Sequence, residues 1–303
     1  MMHAMPTAKE ILDEAERRLK ASPHIEHPHA GKERYDAEEL LAFVFGLEAD
    51  QTPLGSDEVT PVELRRFRGM VDRRSAGEPA AFITGRTTFR GLTLKVSRGA
   101  FIPRQSSEWM ADQVVRRLRA RRGRPVHVDL ATGVGPVALS VAHDVARARV
   151  FGTDISARPL ALARANARLL GLRNVRFVQG DLFSSLPGSV RGEVDVVSIH
   201  PPYVGTVEMR ILPHEIKAFE PVEALTDRSP TGMRVVGKAA EEGRSWLRDG
   251  GWLMIEVSPD HSRTVATILR RAGYADVRST KGEIAVSRVV VGRCGPNIDL
   301  HNH

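Results

Sequence analysis

Along the first ninety residues the apolar positions recur at helical spacing. Ile11, Leu12, Ala15 and Leu19 share one face, after a start signal at Thr7-x-x-Glu10 in which hydroxyl and carboxylate cap each other's backbone amides. Asp36-x-x-Glu39 precedes Leu40, Leu41, Phe43 and Val44, with Gly46 as the stop, and predicts a second helix starting near Asp36. Thr60-Pro61-Val62-Glu63 joins a cap, a proline at the first helical position and the reciprocal acid, and predicts a third. The period then changes. Phe89 to Val96 alternates around Gly91 and predicts a β-hairpin linker. A helix capped near Ser106 or Ser107 is expected to run to about Arg119.

From Pro125 onward short apolar runs alternate with helical patterns. Strands are predicted at Val126–Leu130, Val150–Thr153, Val175–Gln179, Val194–Ile199 and Trp252–Val257. Helices are predicted at Val137–Val145, Ser156–Leu170, near Gly237–Leu247 and at Ser262–Ala272. Asp276–Arg278 and Ile284–Val291 are expected to close the sheet as an antiparallel pair. Such alternation gives a largely parallel sheet covered on both faces. The expected class is therefore α/β: a Rossmann-like sheet with a small N-terminal helical domain joined by a β-hairpin. The expected divisions are 1–81 helical, 82–100 linker, 101–294 sheet domain and 295–303 flexible tail.

Composition narrows the classes. The 303 residues are 42% hydrophobic, enough for a sizeable core. No apolar stretch approaches the roughly 20 residues a membrane span needs. The first six residues lack the features of a signal peptide, and the lone Cys294 suits a reducing compartment, so a cytoplasmic protein is expected. The net charge of +7 comes largely from Arg. Arg116, Arg117, Arg119, Arg121, Arg122 and Arg124 cluster at a predicted helix end, where the helix dipole favours cations, so nucleic acid is not the expected partner. His24, His27 and His29 fall in a Pro-containing loop without a carboxylate or thiol set, and no metal is expected.

Chemistry concentrates at strand ends. Asp129-Leu130-Ala131-Thr132-Gly133-Val134-Gly135 reads as strand, tight turn and helix start, bringing backbone amides to a ligand. Ala138 stands where a dinucleotide fingerprint needs its third glycine, which disfavours a pyrophosphate. Asp154, with Ile155 beside it, ends the second strand and suits ribose hydroxyls; the same carboxylate could cap the next helix. Asp181, Leu182 and Phe183 follow the third strand and suit an adenine amino group and ring. The three ends together point to an adenosine-type ligand without a pyrophosphate.

His200-Pro201-Pro202-Tyr203 follows the fourth strand. Two prolines hold the chain extended and withhold two donors, leaving the carbonyls of His200 and Pro201 for a ligand. His200 and Pro201 are the candidate catalytic groups. Tyr203 is expected as pocket wall, since a phenol near pKa ~10 is a poor base.

These residues resemble a class I S-adenosylmethionine methyltransferase, and most closely the release-factor glutamine methyltransferase (HemK/PrmC) family. Gly77 to Gly85, Phe89 to Leu92, Ile102-Pro103-Arg104 with Glu108, Glu220 to Leu225 and Arg288 to Gly292 are similar to further elements of that family. The resemblance implies S-adenosylmethionine as methyl donor, no metal, and an N-terminal domain that grips a substrate protein. Four departures stand out. His200 replaces the family's Asn, Gln105-Ser106-Ser107-Glu108 replaces Pro-Glu-Thr-Glu, Ala131 replaces the first loop glycine, and Asp227 to Gly232 replaces a Gly-rich element.

In the family the Asn orients an amide nitrogen, a poor nucleophile. Imidazole can also take a proton. From that exchange a small-molecule acceptor in specialised metabolism is expected, such as an indole, arylamine or phenol, with Arg104, Glu108 and Trp109 near its pocket. The alternative is the family activity, N5-methylation of glutamine in a release factor. Base methylation of nucleic acid, and donor binding without catalysis, are further readings. Nothing in the sequence selects an oligomeric state.

Overall fold

The computed structural model describes residues 5–25, 31–48, 51, 53–283 and 286–296. Glu26 to His29, Ile284 and the tail from residue 297 lie outside them. The chain divides into two compact units, Met1–Gly99 with Leu212–Pro221, and Ala100–Ile211 with Val222–His303.

The first unit carries α1 (Ala8–Lys20), α2 (Lys32–Val44), α3 (Pro61–Ser75) and α4 (Ala80–Thr84), then an antiparallel hairpin of β1 (Arg86–Phe89) and β2 (Leu92–Lys95). Capping boxes at Thr7 and Thr60 start α1 and α3 where the sequence places them. Ile11, Leu12, Leu19, Leu40, Leu41, Phe67 and Val71 form its core. Helix α2 differs from expectation. It begins at Lys32, so Asp36 and Glu39 lie inside it. Asp36 is instead a tertiary partner: its Oδ2 accepts from Arg74 Nε at 2.7 Å. Arg74 is 1% exposed and also donates to Glu215 Oε2 at 2.9 Å. Lys32 Nζ donates to Glu215 Oε1 at 2.6 Å. A buried guanidinium needs such partners, because an unpaired interior charge is costly.

In the second unit α5 (Glu108–Arg119) precedes β3 (Val126–Leu130), α6 (Pro136–Asp144), β4 (Arg149–Asp154), α7 (Ala157–Leu169), β5 (Val175–Gln179) and β6 (Val194–Ile199). The chain then visits the first unit, carrying α8 (His214–Phe219). It returns with α9 (Val222–Leu225), α10 (Arg234–Trp246), β7 (Leu247–Val257), α11 (Ser262–Arg271), β8 (Tyr274–Thr280) and β9 (Arg288–Cys294). The seven strands stand in the order β5-β4-β3-β6-β7-β9-β8. They are parallel except that β9 runs antiparallel to both its neighbours. Strands β3 and β6 are buried along their whole length, as befits central strands covered on both faces. The strand order reverses between them, at the crevice where ligands of open α/β sheets bind.

Register fixes what meets at that crevice. Leu130 pairs with Thr153 on one side and Ile199 on the other, and Ile199 pairs with Ile255. The next residues, Ala131, Asp154, His200 and Glu256, therefore stand side by side along one carboxyl edge.

Candidate active site

The loop after β3 is held by carboxylates. Asp129 is buried; its Oδ2 accepts from the Thr132 hydroxyl and its Oδ1 from the Ser198 hydroxyl, each at 2.6 Å. Burial pushes its carboxyl up to about 6, although the two hydroxyls and the Ala138 amide favour the ionised form. Ser198 spends its proton on Asp129, so the buried His127 must donate from Nε2 to Ser198 Oγ, at 2.9 Å. That leaves His127 Nδ1 buried with no partner, and burial holds this ring neutral, down to about 3.

Asp154 ties the second strand end to the first. Its Oδ2 accepts from the Gly133 amide and its Oδ1 from the Ser156 amide, each at 2.9 Å. Burial raises its carboxyl above the ordinary range against those amides. The glycines differ in purpose. A Cβ on Gly135 would stand 2.9 Å from Phe177 Cζ, and its φ is +86°, so both space and backbone demand glycine. A Cβ on Gly133 would meet nothing within 4 Å, so one face of the loop is open. Ala131 takes φ +49° without being glycine, a left-handed conformation that costs an L-residue roughly 1–2 kcal/mol. A tight loop open on the Gly133 side, the Asp154 carboxylate and the 57%-exposed Ile155 fit a nucleoside.

The third strand end is placed differently from a simple ring clamp. Asp181 is exposed and pairs with Lys238. Leu182 and Phe183 are buried in the sheet core, where Phe183 stacks on Trp246 at 5.6 Å between centroids.

The fourth strand end carries His200. Its ring lies parallel to Tyr203, with centroids 5.8 Å apart, and edge-on to Phe101 at 5.5 Å. Its Nδ1 is 3.3 Å from Ser107 Oγ and 3.8 Å from Glu256 Oε2. Burial lowers the imidazole below its ordinary value, the Glu256 carboxylate opposes this, and the Arg104 guanidinium reinforces it. Arg104 itself lies over the Phe101 ring at 4.4 Å. Tyr203 is clamped from behind: Thr226 bridges to it, and Val204 donates to the Leu225 carbonyl at 2.9 Å. Burial first, then Glu256, pushes its phenol up to about 12. Trp109 points its indole N–H at Thr280 on β8, at 3.3 Å. Glu256, fully buried on β7, was no candidate from sequence; the available signal was one acid inside an otherwise apolar strand.

Among the described residues no group of three or more His, Cys, Asp or Glu is arranged to hold a metal, and no helix is long and apolar enough to cross a membrane. The Arg cluster is partly tied down locally. Arg121 pairs with Asp195 at 2.8 Å, and Arg117 and Arg278 flank Trp252.

The strand order, the glycine loop and the acid at the second strand end are those of a Rossmann-like S-adenosylmethionine-dependent methyltransferase. Residues 125–266 match the methyltransferase-domain family and residues 10–85 match the PrmC N-terminal domain. The chain is 35% identical over 269 residues to the release factor glutamine methyltransferase of Moorella thermoacetica, covering 88% of this chain and 91% of that one. It is 33% identical over 265 residues to that of Xylella fastidiosa, covering 86% and 94%. A T. thermophilus 16S rRNA methyltransferase in complex with AdoMet and guanosine shares the fold, with a TM-score of 0.50 at 16% identity, over 69% of this chain and 49% of that one. The chain belongs to the release factor glutamine methyltransferase family.

That membership overturns the expected small-molecule acceptor and the specialised-metabolism setting. Full-length relatives carry the name of the protein-modifying enzyme, and the PrmC N-terminal domain is present. The single residue type at position 200 is too little to assign the acceptor. A neutral imidazole still offers a hydrogen-bond acceptor, as a carboxamide does.

Proposed function

We propose that this protein methylates the side-chain amide nitrogen of a glutamine in a peptide-chain release factor. The observation that carries the reading is similarity to release factor glutamine methyltransferases along nearly the whole chain, helical unit included. The helical unit is assigned to hold the protein acceptor. Work on a translation factor places the enzyme in the cytoplasm.

The donor is assigned to the loop Asp129, Ala131, Thr132, Gly133 and Gly135, with Asp154 on the ribose, Ile155 against the adenine and Asp181 at the edge of that site. S-adenosylmethionine supplies, when bound, a methyl carbon whose bond to sulfur breaks with the electron pair staying on sulfur. The protein's own task is alignment. An amide nitrogen has a delocalised lone pair, so holding it in line is worth more than any change in its reactivity. His200 accepts a hydrogen bond from the amide N–H, the Pro201 carbonyl accepts a second, and Phe101 and Tyr203 wall the slot.

The test is transfer of label from S-adenosylmethionine to purified release factor, with the site found by mass spectrometry. One methyl per factor on a glutamine side chain is expected. Absence of label on the factor, with the donor demonstrably bound, overturns the reading.

A further inference from the structure

Ser106, Ser107 and His200 gather at one buried acid. Ser106 Oγ donates to Glu256 Oε1 at 3.1 Å, and His200 Nδ1 lies 3.8 Å from Glu256 Oε2. Ser107 Oγ lies 3.3 Å from the same Nδ1. Glu256 Oε2 is fully buried and makes no hydrogen bond to a described residue. A lone pair on Nδ1 would face that oxygen and be repelled; a proton there would face it and be attracted. The Ser107 hydroxyl serves either form, since it can donate or accept. The acid therefore decides which ring nitrogen carries the proton.

We propose that Glu256 is a positioning residue: facing His200 Nδ1 directly, with the Ser107 hydroxyl beside the same nitrogen, it fixes the imidazole in its Nδ1–H tautomer, so that Nε2 presents a lone pair to the acceptor N–H. The identity of the acceptor rests on the glutamine reading; the tautomer does not. Methylation leaves the acceptor nitrogen with one proton too many. Nε2 takes it, and the resulting imidazolium faces the Glu256 carboxylate. Ser106 keeps Oε1 engaged, so Oε2 stays turned to the ring.

The groups facing His200 are Glu256 from β7, Arg104 from the segment before α5, and Tyr203 on its own loop, with His261 and Glu208 beyond Tyr203. Of these, Glu256 raises the imidazole's pKa and Arg104 lowers it. Removing the Glu256 charge thus moves the acid limb of the rate profile to lower pH.

Two readouts test this. In enzyme labelled with ¹⁵N-histidine, His200 is identified by its loss in His200→Asn, and the ring-nitrogen shifts report the tautomer without any acceptor. The expected result is Nδ1–H in the unmodified enzyme, with the ratio displaced about tenfold toward Nε2–H in Glu256→Gln. In turnover of release factor, Glu256→Gln is expected to lower kcat about 10²-fold, a scale typical of misplaced reacting groups. The KM for donor should stay within about twofold, and the acid limb should shift down. In the His200→Asn background the same substitution should cost less than about threefold. An Nε2–H ring in the unmodified enzyme overturns the proposal, and so does equal cost in both backgrounds. Should Glu256→Gln fail to fold, the tautomer of the unmodified enzyme decides alone. An enzyme that leaves release factor unlabelled defeats the glutamine reading, while the nitrogen shifts still judge Glu256.

Discussion

Two neighbouring stretches of one sheet edge are built by different means. At Ala131–Gly135 the shape is made by backbone: amides tied to the Thr153 and Thr132 carbonyls and to Asp154, a glycine at 135 where no Cβ fits, and carboxylates that grip main-chain N–H groups. At His200–Tyr203 it is made by side chains from three elements: a ring on the β6 loop, a hydroxyl before α5 and an acid on β7. A backbone cradle tolerates little change and is shared widely. A side-chain network is assembled from separate pieces, and here Ser106, Ser107 and His200 gather around Glu256.

That contrast can be broken by substitution. The largest effect is expected from His200→Ala, which should lower kcat by about 10²–10³-fold, roughly 3–4 kcal/mol of barrier, with donor affinity within threefold by calorimetry. Equal loss of donor affinity would show that the two stretches are not separate sites. Gly135→Ala should do the reverse. It forces a Cβ against Phe177 in a left-handed backbone, costing about 2–3 kcal/mol in denaturant unfolding and at least tenfold in donor affinity.

His127→Leu sharpens the contrast through pH. The folded ring stays neutral down to about 3, whereas the unfolded ring takes a proton below about 6.5. The folded state therefore loses up to about 1.4 kcal/mol per pH unit as pH falls through that window. Removing the ring should flatten the acid side of the stability curve between pH 6 and 4, read from thermal midpoints across pH. Smallest is Ala131→Gly, which relieves the positive φ and should add about 0.5–1 kcal/mol of stability in denaturant unfolding.

Legibility in the sequence followed the same divide. The Thr7 and Thr60 capping boxes, the hairpin and the strand runs are local signals, and the elements appear where those signals stand. The start of α2 at Lys32 is not legible locally, because Asp36 looks like a cap yet serves Arg74, a partner 38 residues away. Phe183 reads as a ring-binding aromatic because nothing local announces Trp246. Glu256 was missed for the same reason: its meaning lies in strand register, which sets it beside His200. The acceptor class is not carried by the residue type at position 200 but by similarity along nearly the whole chain.

The helical unit is not continuous in the chain. Arg74 is sealed inside it, yet one of its two carboxylates, Glu215, lies 141 residues further on. At roughly 5–20 residues per second, a ribosome needs on the order of ten seconds to deliver that acid. Until then the nascent helices hold a guanidinium with half its counter-charge. A product cut short before position 215 would be left with that charge unmet, and quality-control proteases would find it the easier target.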